Sequence, residues 1–438
     1  MLGSGALLVL AASAASSLER GRVNTEASFD PSAASIDIGD GVVVERNGMI
    51  VVAGLSRRGG RYQFGLARYR PNGTLDPRFG TGGRVLTSFP RGGSGDAALA
   101  EQPDGKLVVA GVAWAAKNQS VFGIGRYTRR GRLDPSFGHG GTVMTPAPAP
   151  RRGKFSVTYA GGLVLQRDGK LVVAGARTNI KDHLGIALAR YTSAGTLDPT
   201  FGVRGKVEPD LGSRSGAAES GVALQADGKI VTAGYSSLPH LAAARFTTRG
   251  ALDAGFGSAG TVVTPVGGWS EAGGVAIQPD RRIVVAASAS LPNRGVQLAV
   301  VRYLPNGRVD TSFGVNGTVV TNFAVNGRPA IAIQPDGKIV VACGVGNPRR
   351  FGLARYDARG ALDPTFGEGG KIRTRFADGS SAHAVALQAD GKIVVAGSSG
   401  GDFALARYAR DGSLDESFGT AGLVTTPLGP AWLRRSGR

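Results

Sequence analysis

One stretch, Leu387-Gln388-Ala389-Asp390-Gly391-Lys392-Ile393-Val394-Val395-Ala396-Gly397, recurs in near-copy six more times upstream in a chain of 438 residues. Ile393-Val394-Val395-Ala396 is β-branched and free of polar alternation, as a strand covered on both faces requires. Ala384 to Gln388 alternates small and larger apolar residues at strand period. Asp390-Gly391 lies between them, and Pro103, Pro279 and Pro335 precede the same dipeptide slot in three copies. That pattern predicts a type I turn whose glycine takes the left-handed region and forms a bulge. Asn47-Gly48 fills the slot in the first copy, whereas Asp280-Arg281 departs from it. An arginine there costs about 1 kcal/mol or forces another turn. An aspartate repeated at turn after turn is a turn former rather than a ligand or a catalytic acid.

Three further segments accompany each hairpin in fixed order. Gly-x-Val-x-Thr comes before it, as in Gly83-Arg84-Val85-Leu86-Thr87, and Phe-x-Leu-Ala-Arg-Tyr comes after it, as in Phe351 to Tyr356. A Leu-Asp-Pro-x-Phe-Gly turn follows, and successive copies counted from Leu75 start 58, 64, 55, 57, 53 and 52 residues apart. Four short strands per unit, repeated seven times, predict an all-β chain: a seven-bladed β-propeller of four-stranded antiparallel blades with a repeat of about 52–64 residues. A β-solenoid, which wants shorter and stricter coils, is the alternative. Gly-x-Val-x-Thr occurs eight times, because Gly21 to Thr25 and Gly422 to Thr426 both fit it. The surplus copy is a candidate for a closing strand that completes the other terminus's blade.

The composite of Gly-x-Val-x-Thr, Ala-Leu-Gln-x-Asp-Gly-Lys-Ile-Val-Val-Ala-Gly, Phe-Ala-Leu-Ala-Arg-Tyr and Leu-Asp-x-x-Phe-Gly resembles the delta-60 repeat family of bacterial propeller-like proteins, over roughly residues 21–427. The resemblance implies a secreted or surface propeller of unknown biochemical role and carries over no catalytic residues. The fifth unit departs most, with Arg281 and Ala287 where the others have Gly.

The 70 glycines show no Gly-X-Y period and so indicate turn-rich β structure. Net charge is +19, which attracts polyanions such as nucleic acid, acidic polysaccharide, teichoic-type polymers or an anionic membrane surface. A solubility charge set by an arginine-favouring genome is the plain alternative. Residues 4–15 form a short apolar stretch ending in Ala12-Ser13-Ala14, like a secretory core with its cleavage site, although no Lys or Arg precedes it. The expected division is a signal peptide or disordered terminus at 1–15, one propeller domain at 16–427, and a basic tail at 428–438. Secretion or cell-surface display is the expected location. No later window is apolar and long enough to span a membrane. A single cysteine, Cys343, excludes an internal disulfide and sits where other copies have Gly or Ala, as a small buried filler would.

The most regular polar pattern is an Arg and an Asp eight residues apart: Arg68/Asp76, Arg126/Asp134, Arg190/Asp198, Arg245/Asp253, Arg302/Asp310, Arg355/Asp363 and Arg407/Asp415. Each Arg shares a strand face with apolar side chains and needs a partner there, which a bidentate carboxylate supplies. A pair made seven times is structural, since a catalytic site appears once. The histidines His139, His183, His240 and His383 stand at unrelated places, so no metal site is expected, and no cofactor fingerprint occurs. The unrepeated acids Asp96, Asp182, Asp210, Glu271, Asp378 and Asp402 fall in different units and name no catalytic pair.

Connections in an up-and-down blade alternate between its two ends, which puts the Asp-Gly and Leu-Asp-Pro turns on one face. The connections that vary lie on the other, where binding on a rigid scaffold resides. The candidate binding residues there are Arg57, Arg58, Arg61, Trp114, Lys117, Arg151, Arg152, Lys154, Arg349 and Arg350, with Arg177, Lys181, Trp269 and Arg294 on the same rim. Clustered arginines suit an acidic polysaccharide or other cell-surface polyanion. Sequence-specific nucleic-acid reading is not expected without a groove-reading helix, and a monomer is expected. The first reading is therefore a non-enzymatic binding or scaffold propeller. The second is a hydrolase, lyase or quinoprotein-like dehydrogenase with its site at the channel mouth, and the third is a structural surface or adhesion component.

Overall fold

The computed structural model describes residues 36–58, 61–116, 119–146, 158–178, 184–209, 221–236 and 240–428. Its strands are all antiparallel and form five four-stranded sheets and one of seven strands. In the larger sheet one strand of 16 residues, Thr318–Ile333, pairs first with Gly295–Tyr303 and then with Ile339–Val345. It is the outer strand of the fifth blade and the inner strand of the sixth, so the chain makes seven blades of four strands. The first runs Ile36–Val44, Ile50–Arg58, Arg61–Tyr69 and Arg84–Thr87 from the inside outward, and the seventh runs Ser380–Leu387, Ile393–Ser399, Asp402–Tyr408 and Leu423–Thr426.

Each blade thus begins with the segment before the Asp-Gly turn and ends with Gly-x-Val-x-Thr. The seven copies from Gly83 to Thr426 fill all seven outer positions, and every blade is drawn from one continuous piece of chain. The surplus copy, Gly21 to Thr25, lies outside the described residues, as does the apolar stretch at 4–15.

Burial follows position in the blade. Second and third strands are covered on both faces by the neighbouring blades, and Ile393, Val394, Val395 and Ala396 are all fully buried. This is why those strands carry no polar alternation. Their apolar faces form seven separate clusters, each joining two neighbouring blades. Cys343 belongs to one of them, and burial pushes its thiol up to about 12, which leaves it inert.

The repeated turn has the form its sequence predicts. Gly391 donates to the Gln388 carbonyl at 2.9 Å with φ +84°, and Asp390 Oδ1 accepts from the Lys392 amide at 3.1 Å. Arg281 keeps the same turn with φ +70° and the same amide contact to Gln278. The strain is therefore borne and not avoided. Arg281→Gly is expected to raise the unfolding free energy by about 1 kcal/mol. Chemical denaturation measures it, and an unchanged midpoint would remove the strain argument.

All seven Arg–Asp pairs form, with Nε to Oδ2 distances from 2.7 to 3.0 Å. Each guanidinium also lies over the Phe of the following turn, at 4.4 to 4.8 Å from the ring centre. Nη1 then reaches into the next blade: Arg190 donates to the Thr248 carbonyl and Arg302 to that of Ala358, both at 2.6 Å. Arg68, Arg126, Arg245 and Arg355 make the same contact with Arg129, Ser193, Pro305 and Arg410. Arg407 of the seventh blade returns to Pro71 of the first. The amide of the Leu-Asp-Pro-x-Phe-Gly glycine follows the same path, ending with Gly419 donating to Asn72 at 2.8 Å.

Contacts in the opposite direction come from the next residue. Tyr127, Tyr191, Tyr303, Tyr356 and Tyr408 each pair their hydroxyl with the outer-strand Thr of the preceding blade. Tyr69 of the first blade faces Thr426 of the last. Between the third and fourth blades both partners are gone at once, with Pro209 in the Thr place and Phe246 in the Tyr place. The first and seventh blades thus meet through the same Arg–carbonyl and Tyr–Thr places as most neighbouring pairs, and inner strands pack on inner strands all the way round. Among the described residues the ring closes through side chains and turns, with each blade's four strands drawn from its own stretch of chain.

Candidate functional site

The turn face is occupied by the ring's own contacts. The Lys of Asp-Gly-Lys reaches the paired Asp of its blade, as Lys338 does to Asp363 at 2.9 Å and Lys392 to Asp415 at 2.8 Å. Arg282 takes that place in the fifth blade. Burial alone would raise the Asp134 and Asp198 carboxyls. Hydrogen bonds from Ser136 and Thr200, the lysine contacts and the paired arginines outweigh it and hold both at about 2. Arg129 and Arg410 clamp the Asp104 and Asp390 carbonyls at 2.6 and 2.7 Å.

The variable-loop face is more open. Arg61, which opens the third strand of the first blade, and Arg294 and Arg349, in the connections between second and third strands of the fifth and sixth blades, are exposed. Arg350, Trp114 and Trp269 are half-buried. Arg57 lies half-buried near the Tyr62 ring, 5.5 Å from its centre. Arg177 is paired with Glu208 at 2.7 Å. Lys117, Arg151, Arg152, Lys154 and Lys181 lie outside the described residues.

Arg58 has a different occupation from the rim role its position suggests. Its Nη2 contacts Asp37 at 2.9 Å, and Asp37 is fully buried. Asp37 also accepts from Ser56 Oγ at 2.7 Å and from the Leu428 amide at 2.8 Å, while its own amide donates to Gly401 of the seventh blade. Leu428 packs in the cluster between the last and first blades. Burial raises the Asp37 carboxyl and nearby Asp402 adds to it, against the lowering by Ser56, Leu428 and Arg58. This group fastens the end of the seventh blade to the first.

The inner strands break register at β-bulges, among them Gly39/Gly41, Ala272/Gly274, Asn326/Ala330 and Ala382/Ala384. Such bulges re-aim side chains. The close approach that forms one of them needs glycine, because a Cβ on Gly397 would stand 1.9 Å from the Ser381 carbonyl oxygen. His383 sits on the seventh-blade bulge, where burial first and Arg349 second lower its imidazole to about 4, so it is neutral. Arg328 sits on the sixth-blade bulge and places Nε and Nη2 at 2.7 and 2.6 Å from Glu271 Oε1 of the fifth blade. Tyr159 of the third blade and Tyr235 of the fourth are half-buried within electrostatic reach of that pair. Among the described residues no three His, Cys, Asp or Glu side chains are grouped to hold a metal ion.

Of this cluster only Glu271 stands out in the sequence as an unrepeated acid. Tyr159, Tyr235 and Arg328 are missed by a search for motifs. Their signal is departure from the repeat: the place of Tyr159 and Glu271 is Ile38, Gly95, Ala218, Gly327 or Ser381 in the other units.

A seven-bladed ring with repeated turn chemistry on one face and unrepeated side chains on the other defines a β-propeller repeat protein. The chain belongs to the family described as "Domain of unknown function (DUF5122) beta-propeller", which matches residues 45–79, 102–137, 166–201, 225–256, 278–313, 334–366 and 388–418. No curated protein matches it. Among solved structures it is similar to a puromycin hydrolase, with TM-score 0.51 and 16% identity over 90% of this chain and 54% of that one. The chain thus spans about half the hydrolase's length. It is also similar to virginiamycin B lyase from Staphylococcus aureus, with TM-score 0.49 and 13% identity over 82% of this chain and 94% of that one. At such identities the likeness is one of fold alone.

Proposed function

We propose that the chain is a non-enzymatic binding propeller of the delta-60 type, secreted or held at the cell surface, whose variable-loop face engages an acidic polysaccharide or similar polyanion. The observation that carries this reading is the exposure of Arg61, Arg294 and Arg349 on one rim, along the arc from the fifth blade through the first. None of the three stands at a repeated position, so the ring does not require them. An enzymatic reading would want a base at the channel mouth. Burial raises the Tyr159 and Tyr235 hydroxyls, which keeps them protonated, the half-buried His383 imidazole is lowered to about 4 and so is a weak base, and the Glu271 carboxylate is occupied by Arg328.

The turn face also carries exposed arginines, including Arg70, Arg130 and Arg132. The test therefore compares two triple variants for binding to dextran sulfate and polygalacturonate at rising salt. Arg61/Arg294/Arg349→Ala is expected to weaken binding about tenfold, and Arg70/Arg130/Arg132→Ala much less. Equal losses, or wild-type affinity no greater than that of an unrelated basic protein, would make the charge a diffuse property and the rim no dedicated site.

A further inference from the structure

We infer that the channel mouth holds a second, separate subsite, built from Tyr159, Tyr235, Glu271 and Arg328, that takes an uncharged sugar unit. The four side chains come one each from the third, fourth, fifth and sixth blades. Tyr235 stands where the other units have Leu55, Val112, Ala176, Ser288, Gly344 and Ser398. Arg328 stands where they have Gly39, Asp96, Ala160, Glu219, Ala272 and Ala382. The propeller forms its other blades without these residues, so the ring's own packing does not account for them.

The backbone is shaped to present them. Asn326 and Ala330 pair with Gly344 and Ala342, so Gly327-Arg328-Pro329 bulges out of the ladder. Gly273 of the fifth blade makes room for it, since a Cβ there would stand 2.3 Å from both the amide nitrogen and the carbonyl oxygen of Pro329. The bulge brings the Arg328 guanidinium onto Glu271 in the neighbouring blade, and Tyr159 lies three blades away from it around the ring.

Charge decides the class of ligand. In a chain of net charge +19 this cluster carries no surplus of positive charge, because Glu271 offsets Arg328 and both tyrosines stay protonated. An anion entering it would lose hydration without gaining a surplus of positive charge. A sugar fits better: its hydroxyls both donate and accept, matching tyrosine hydroxyl, guanidinium and carboxylate, and its apolar face matches a tyrosine ring. An inter-blade staple alone would account for Glu271 and Arg328, but would leave unexplained the two half-buried tyrosines within electrostatic reach of them.

The subsite stands apart from the rim reading, and the experiment separates them. An array of neutral and acidic oligosaccharides is followed by calorimetric titration of the strongest neutral binder. Wild type is compared with Tyr159→Phe, Tyr159→Ala, Tyr235→Ala, Glu271→Gln and Arg61/Arg294/Arg349→Ala. The expected result is a neutral oligosaccharide whose affinity is indifferent to salt, falls about tenfold in either alanine variant, and is unchanged by the rim triple variant. Tyr159→Phe, which keeps the ring and removes the hydroxyl, decides the matter if an alanine variant does not fold. Retention of acidic glycans only, or equal neutral-sugar affinity in wild type and the folded tyrosine variants, overturns the proposal.

Discussion

Asp363→Ala is expected to lower the unfolding free energy by about 3 kcal/mol. Arg355 is buried, with Nε at 2.8 Å from Asp363 Oδ2, and Lys338 Nζ stands 2.9 Å from the same oxygen. The other oxygen, Oδ1, accepts from the Thr365 amide at 3.0 Å and its hydroxyl at 2.7 Å. Truncation leaves two cations facing each other at the seam with the seventh blade, where Arg355 still bonds the Arg410 carbonyl. Asp363→Asn keeps an acceptor for the turn and should lose less. Arg355→Met combined with Asp363→Leu removes the buried charge as well as its partner, and should recover part of the loss. Denaturant titration of the four proteins measures this, and a single-variant loss below about 1 kcal/mol would show that the pair is not what holds the seam.

Acid should open the ring between about pH 4 and pH 2. The paired aspartates Asp76, Asp134, Asp198, Asp253, Asp310, Asp363 and Asp415 are all lowered. Asp134 and Asp198 sit at about 2, against roughly 3.9 in an unfolded chain. A carboxylate lowered by folding stabilises above its unfolded value, and that contribution is lost as pH falls through the folded one. Asp37 has the opposite sign, since its raised carboxyl favours the fold below the unfolded value and loses that contribution as pH rises. Asp168 and Asp411 are lowered as well and Glu101 is raised, so nine lowered carboxylates against two raised ones set the direction. Melting temperature should therefore drop steeply across that window, and Asp198→Asn should flatten the curve while lowering its plateau. A flat profile from about pH 5 to pH 2 would refute the linkage.

Much of this was legible because repetition separates folding from function. Ile-Val-Val-Ala runs and Asp-Gly turns recurring at near-constant spacing define the blades, and an Arg and Asp eight apart in every unit mark a partnership. The Nη1 acceptors were not legible: they are backbone carbonyls of Arg129, Ser193, Thr248, Pro305, Ala358, Arg410 and Pro71, which share no side-chain signature. The Lys-to-Asp contact had a signal, the repeated Lys after Asp-Gly, that a search for catalytic patterns passes over. Blade phase was ambiguous because Gly-x-Val-x-Thr both precedes and follows every hairpin. The channel-mouth cluster depends on bulges, and a bulge changes where a side chain points without changing its residue type. Arg58 looks like any rim arginine until Asp37, 21 residues earlier, is placed beneath it.

Because the described residues exchange no strand, the junction of the last and first blades is held as the other seams are, by side chains and turns, with the Leu428 amide 2.8 Å from the Asp37 carboxylate. The ring is in this sense a cyclic sentence whose first word is arbitrary. Linking the last strand of the seventh blade to the first strand of the first, and cutting the chain in another blade's variable loop, would give a circular permutant with the same Arg–carbonyl and Tyr–Thr contacts, read from a different starting point.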